Sequence, residues 1–239
     1  MDILHGLPFF STAITMAFAL SVLSRYFKGR RLYSLLWGVG LLLYAAGTLS
    51  EAWLALSWSA FWLRAWYLTG AMLTAAWLGQ GTIYLLVRKT AVAHALMALL
   101  GLASLVALVA VFTAPIDPTA FQKGVAISSQ YKALLARSGL TVLLTIVLNL
   151  YGTIALVGGA LWSAWLFYRK AVLPNRMLGN VLIAAGALLP ASAGTLIKLG
   201  LGDWLYVSEL LGAAVMFLGF WLTTQPQPNE QTAPAAAPA

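Results

Sequence analysis

Apolar residues run along the chain in long blocks, broken by short polar or basic intervals. The blocks fall near 8–27, 33–56, 61–87, 91–113, 139–168, 177–200 and 204–223. Each is about long enough to cross the hydrocarbon core of a bilayer as a helix, which takes roughly 20 residues. An all-α membrane protein is therefore expected, with a seven-transmembrane-helix bundle over 1–224. From 225 to 239 the chain is rich in Pro and Ala with almost no charge, and this tail is expected to lack fixed structure. One longer interval, 114–138, opens with Pro115 and Pro118 and continues into Val125–Arg137, which reads as a short interfacial helix; the interval is expected to pack over the bundle, with a lid as the alternative.

Composition agrees with the pattern. Hydrophobic residues make up 62% of the chain and charged ones 8%, against roughly a quarter charged in a soluble domain. Trp53, Trp58, Trp62, Trp66, Trp162, Trp165, Trp204 and Trp221 lie at span ends, where indole rings favour the headgroup layer. Met1 to Pro8 lacks a basic leading region and no small-residue cleavage site follows, so the first helix is expected to be retained.

The basic residues set the orientation. Arg25, Lys28, Arg30, Arg31, Arg88, Lys89, Arg169, Lys170 and Arg176 follow the odd-numbered spans, nine of the fourteen cations, and mark the cytoplasmic side. The amino terminus is then outside and the carboxyl tail cytoplasmic, in a multi-pass protein of the cell membrane. Five of the six acids, Asp2, Glu51, Asp117, Asp203 and Glu209, fall on the outer side. Although the net charge is +8, the cations form no continuous patch, and no nucleic-acid partner is expected.

A repeat is visible between the two ends. Ala46, Gly47, Thr48 and Leu49 recur as Ala193, Gly194, Thr195 and Leu196. Trp62, Leu63, Leu68, Gly70 and Ala71 recur at a constant spacing of 142 as Trp204, Leu205, Leu210, Gly212 and Ala213. Arg30 and Gly40 match Arg176 and Gly186. Spans one to three and five to seven then form two triplets of like orientation, a parallel 3+1+3 arrangement with span four as linker, as in some carriers such as the SWEET proteins.

Candidate chemistry lies in the ionisable groups inside the spans, since such groups are costly in lipid and are retained for pairing or binding. Glu51, Arg64, Lys198 and Glu209 come from four different spans at similar depth beneath the outer surface. They form either an ion-pair layer or the lining of an outward-facing pocket for a small polar or zwitterionic ligand. Tyr67 shares the face of Arg64, and Asn149 lies below on the fifth span, among Thr141, Thr145, Gly152, Gly159 and Ser163. That stripe is expected to serve close helix packing. Pro190 in the sixth span frees a backbone carbonyl and marks a candidate hinge. Span four is apolar all round and should face lipid.

Several classes are excluded or disfavoured. With no cysteine there is no disulfide, iron–sulfur cluster or thiolate metal site, and His5 and His94 sit near helix ends rather than as midspan haem ligands. No metal site or cofactor is expected. Neither a serine nucleophile motif nor paired midspan carboxylates are apparent, so an enzyme is not expected and no catalytic residue is assigned. A retinal protein would need a midspan lysine in its last helix, and there is none.

The run Trp66-Tyr67-Leu68-Thr69-Gly70-Ala71, Ala75 to Gly81, Gly158-Gly159-Ala160 and Gly179 to Ile183 resembles an uncharacterised group of bacterial seven-helix integral membrane proteins. The resemblance covers spans two to seven and implies no activity. The layout is also similar to the seven-helix sensor region ahead of some membrane histidine kinases. No kinase core follows here, so that likeness implies a separate signalling partner on the cytoplasmic side. Small-molecule binding or sensing is the leading expectation, with a solute carrier and a structural subunit of a membrane complex as alternatives.

Overall fold

The computed structural model describes residues 3–170, 173–192 and 204–225. Residues 193–200 of the expected span 177–200, with the Ala193–Leu196 half of the repeat and Lys198, lie outside the described residues, as does the tail from 226.

The long apolar blocks are helices, which satisfy their backbone groups internally, and turns fall where the sequence changes character. Helix α1 is Ile3–Gly29 and α2 is Leu32–Leu56. Arg30 joins them in the left-handed region, at φ 50°, making the sharp reversal. Helix α3 begins at Ala60, where the Ser59 hydroxyl accepts from the Trp62 amide. It runs through a π-helical segment, Tyr67–Leu73, and ends with Thr74–Leu86. Helix α4 is Thr90–Thr113. Helix α5, Gly139–Arg169, is capped by Ser138 and contains a second π segment, Ile154–Gly158. Helix α6 is Pro174–Ala191, with Pro174 in its first turn, and α7 is Trp204–Thr223.

Five of these helices, α1, α2, α4, α5 and α7, are long and apolar enough to cross a membrane, which is consistent with an all-α membrane protein. Helix α3 is rich in Trp, Tyr, Gly and Thr and buries Gln80, while α6 opens on Asn175 and Arg176. Both are less apolar than their neighbours because they give polar side chains to the interior.

Six helices form a ring. Helix α1 packs on α2 and α7, α2 on α3, α3 on α5, α5 on α6, and α6 on α7. Helix α4 lies outside the ring against α3 and α5, showing Leu99, Leu102, Leu105 and Val109 outward, as its all-round apolar sequence requires. Gln80 fixes it by donating to the Ala93 carbonyl at 2.9 Å while accepting from the Tyr151 hydroxyl, so one amide ties α3, α4 and α5 together.

Close contacts use glycine where backbones meet. A Cβ on Gly152 of α5 would overlap the Ala75 carbonyl carbon, and one on Gly79 of α3 would lie 2.8 Å from the Gly152 oxygen. Gly186 and Gly212 bring α6 and α7 together in the same way. The polar stripe of α5 thus serves packing: Thr141 and Gly152 are buried, and a Cβ on Gly159 would strike the Thr82 side chain.

The interval 114–138 is a fixed plug. The loop helix Ile127–Leu134 drives Ile127, Leu134 and Leu135 into the core beside Leu63, Trp66 and Tyr67. Asp117 N donates to the Leu134 carbonyl at 2.9 Å, Ala136 N to that of Pro115 at 3.0 Å, and Gln130 is tied both ways to Gln122. The loop therefore covers the ends of α2 and α3, opposite the basic end marked by Arg25, Arg88 and Arg169.

Candidate functional site

The site is a pair of carboxyl groups beneath the plug. Glu51 sits in the last two turns of α2 with 1% of its surface exposed. Its Oε1 accepts from Trp66 Nε1 of α3 at 2.7 Å. Its carboxyl lies in hydrogen-bond reach of the Glu209 carboxyl on α7. Tyr44, two turns from Glu51 on α2, donates to the Glu209 backbone carbonyl at 2.9 Å and so fixes the facing helix. Oε2 of Glu51 and Oε2 of Glu209 are both enclosed and have no hydrogen-bond partner.

A third orphan lies on α1. On α1, Ser11, Thr15, Phe18 and Val22 are buried at spacings of four, three and four, which places them on one face. Phe18 of that face stacks on Phe217 of α7 at 5.0 Å, and Arg25 lies over the Phe220 ring, so α1 and α7 run the same way. The neighbouring Thr12 shares a hydrogen bond of 2.9 Å with Thr48, one turn from Glu51. Ser11 is therefore in the groove of α1, α2 and α7 at the level of the carboxyls, fully buried, and its Oγ has no partner.

The other residues singled out from sequence are placed as follows. Arg64 does not join the acids: its Nη2 donates to the Ala114 carbonyl at 2.9 Å, at the start of the plug. Among the described residues no cation pairs with Glu51 or Glu209, and Lys198 lies outside them. Tyr67 is buried next to Trp66 but shares its hydroxyl hydrogen with Thr145, at 3.0 Å. Asn149 donates to the Ala71 and Thr145 carbonyls, a bridge from α5 to the π segment of α3. Pro190 stands in the last described turn of α6 against Gly212, whose Cβ would lie 2.7 Å from the proline Cδ. Glu51 and Glu209 neighbour each other, a pairing of carboxyls that the sequence reading did not make.

Sequence reasoning also missed Trp66, Tyr44 and Ser11. Trp66 was expected in the headgroup layer, but it is 6% exposed and spends its indole hydrogen on Glu51. Its signal was position, since it lies within the third span rather than at its edge. Trp162, Trp204 and Trp221 remain exposed.

Deeper in the ring a narrow apolar cleft lies on the bundle axis, lined from all six ring helices by Phe18, Trp37, Leu41, Leu78, Leu156, Ile183 and Met216. It continues toward the basic end into a cleft with polar walls at Thr82, Ser163 and Asn180. Neither is lined by Ser11, Glu51 or Glu209. Among the described residues no group of three His, Cys, Asp or Glu side chains is placed to hold a metal ion.

Comparison with protein-family models, with curated proteins and with solved structures finds no match for this chain.

Proposed function

We propose that this chain is a seven-span protein of the bacterial cell membrane that binds or senses a small cationic ligand through Glu51 and Glu209. The carrying observation is that two carboxyls from facing helices meet in a buried groove with one oxygen of each unsatisfied and no described cation beside them. An arrangement of that kind is costly in a low-dielectric interior unless positive charge can be supplied, and a ligand is one source. With Arg64 drawn to the plug, the site suits a cation better than the zwitterion that a four-charge layer would take. Cations concentrated at one end of the bundle support an amino terminus outside, which puts the carboxyl pair on the outer half. The likeness to seven-helix sensor regions supports a separate cytoplasmic partner that reads occupancy.

Native mass spectrometry of gently extracted protein tests this, with thermal unfolding in a panel of small cations as the second readout. A stabilising cation whose effect is lost in Glu209→Gln is the expected result. Stability unmoved by every cation in the panel, with no retained ligand, would count against it.

A carrier is a second reading, supported by two features. Exchange of the expected triplets turns the α1–α7 contact into the α5–α3 contact, and both exist. The axial cleft also continues toward the basic end as a mainly apolar recess that reaches Thr82, Ser163 and Asn180. Flux of the stabilising cation into proteoliposomes separates carrier from sensor.

A further inference from the structure

We infer that the axial cleft binds a medium-chain fatty acid anion, with the chain among its apolar walls and the carboxylate on Arg31 at the basic end. The site lies toward the opposite end of the bundle from Glu51 and Glu209 and does not depend on the reading of that pair.

The cleft is continuous, because Trp37, Leu156 and Ile183 line both its deeper part and the part nearer the basic end. The deeper part has only apolar walls, among them Phe18, Leu78 and Met216. Nearer the basic end the walls stay mainly apolar and reach Thr82, Ser163 and Asn180. Leu85 to Leu78 on α3 and Ser163 to Leu156 on α5 are each two helical turns, so the two parts run about 10 Å along the bundle axis.

Leu85 shows where the cleft opens. It lines the part nearer the basic end, in the last turn of α3, and is 45% exposed. An apolar side chain left open inside a cleft suits an apolar occupant. The passage is narrow, which favours one unbranched chain over a two-chain lipid or a fused ring system. Met216 is the adaptable wall at the deep end, since an unbranched thioether side chain repacks readily around what it touches.

The charge of the head follows from the contacts at the mouth. Arg31, exposed at the start of α2, donates through Nη1 to the Tyr33 hydroxyl at 3.2 Å. The Tyr33 ring packs edge-on to Trp37 at 6.4 Å, and Trp37 Nε1 donates to the Thr82 hydroxyl at 3.2 Å. Contacts therefore run unbroken from a guanidinium to the cleft wall. A Cβ on Gly81 would overlap the Trp37 ring, so bare backbone seats the indole in that place. On the facing helix Asn180 Nδ2 donates to the Arg176 carbonyl at 2.7 Å, one turn nearer the basic end. The described acids, Glu51, Asp117 and Glu209, all lie at the other end. A cationic head would meet no counter-charge at this mouth, whereas a carboxylate matches the fork of a guanidinium. Membrane orientation accounts for an excess of cations here but not for one tied to the side chain that lines both parts of the cleft.

The test uses the full-length protein in phosphatidylcholine nanodiscs with a decanoic acid analogue that carries a diazirine near the chain end. After irradiation the adducts are mapped by peptide mass spectrometry. Adducts are expected on Leu78, Leu156 or Met216, suppressed by excess decanoate and not by decanol or decyltrimethylammonium. Arg31→Gln, at an exposed position that leaves the packing intact, should weaken the competition by decanoate roughly tenfold, the size of a charge-assisted contact. Leu156→Trp fills the cleft and should abolish the adducts, and Arg31→Gln keeps the test decisive should that variant fail to fold. Adducts confined to outward residues such as Leu99 and Leu102, equal suppression by decanol, unchanged competition in Arg31→Gln, or suppression by a two-chain phosphatidic acid and not by decanoate would each overturn the inference.

Discussion

Asn149 of α5 donates through Nδ2 to the Ala71 carbonyl of α3 at 2.7 Å, inside the stretch where α3 widens into π geometry. A π segment shifts carbonyls out of the ordinary ladder, and a neighbouring helix that supplies a donor makes the widening tolerable. Thr74 helps from within α3, its hydroxyl donating to the Thr69 carbonyl at 2.8 Å. Asn149→Leu, similar in volume but without a donor, is expected to destabilise the bundle by about 1 kcal/mol, the usual size of an interhelical hydrogen bond in membrane proteins. Unfolding in mixed detergent micelles measures it, and Thr74→Val in the same background should be less than additive because both bonds serve one distortion.

Gly152 and Gly101 should respond in opposite ways to the same methyl group. A Cβ at Gly152 would overlap the Ala75 carbonyl carbon, and backbone cannot swing aside as a side chain can. Gly152→Ala is expected to cost about 3 kcal/mol, at the upper end of ordinary overpacking, and to lower the yield of monodisperse protein. Gly101 on α4 has nothing within 4 Å of a built Cβ, so Gly101→Ala should leave stability unchanged or slightly raised. Size-exclusion profiles and unfolding temperatures of the two variants give the comparison.

Asp117 gives the plug a pH dependence. Hydrogen bonds from the Thr119 hydroxyl and the Thr119 amide stabilise its ionised form and hold its carboxyl below the usual carboxylate range. Because the folded value is depressed, the contribution is fully present above the ordinary aspartate range and is lost as pH falls through the folded value. Acid should therefore loosen the turn at 117–119 while leaving neutral pH without effect. Titration followed by NMR of labelled aspartate should show the low value, and Thr119→Ala should move it upward.

What could be seen in the sequence followed from chemistry that repeats along a helix. The block Trp204–Thr223 has the limits expected of it, and α2 and α4 begin one residue before their expected starts, because apolar runs end where a bilayer-length helix must end. The plug was legible as a packing helix from Pro115, Pro118 and the stretch that follows. The two π segments were not, since they arise from the fit of α3 against α5 and leave no periodic mark in either helix alone. In the candidate site, Glu51 and Glu209 were legible because acids inside apolar spans are rare. Their partners were not: opposite charges in separate helices suggested Arg64, whose guanidinium is within reach of the Ala114 carbonyl only because the plug folds back over the bundle.

Trp66 ties the carboxyl pair to the core beneath the plug. Its ring packs edge-on to Tyr131 at 5.4 Å while Nε1 donates to Glu51, so a single side chain joins plug and site. Trp66→Phe keeps most of the apolar area but leaves Glu51 Oε1 without its donor, a loss of about 1 to 3 kcal/mol for a buried acceptor. The two functions of the indole then separate in one experiment. If Trp66 only fills space, the variant should lose stability equally with and without a bound cation. If it orients Glu51, the stabilisation conferred by the cation should shrink in Trp66→Phe, while Tyr131→Phe, which keeps the ring contact, leaves that stabilisation intact. Thermal unfolding of the three proteins across a cation titration distinguishes these outcomes, and the orienting role is the expected one because the 2.7 Å bond from Nε1 fixes the position of Glu51 Oε1.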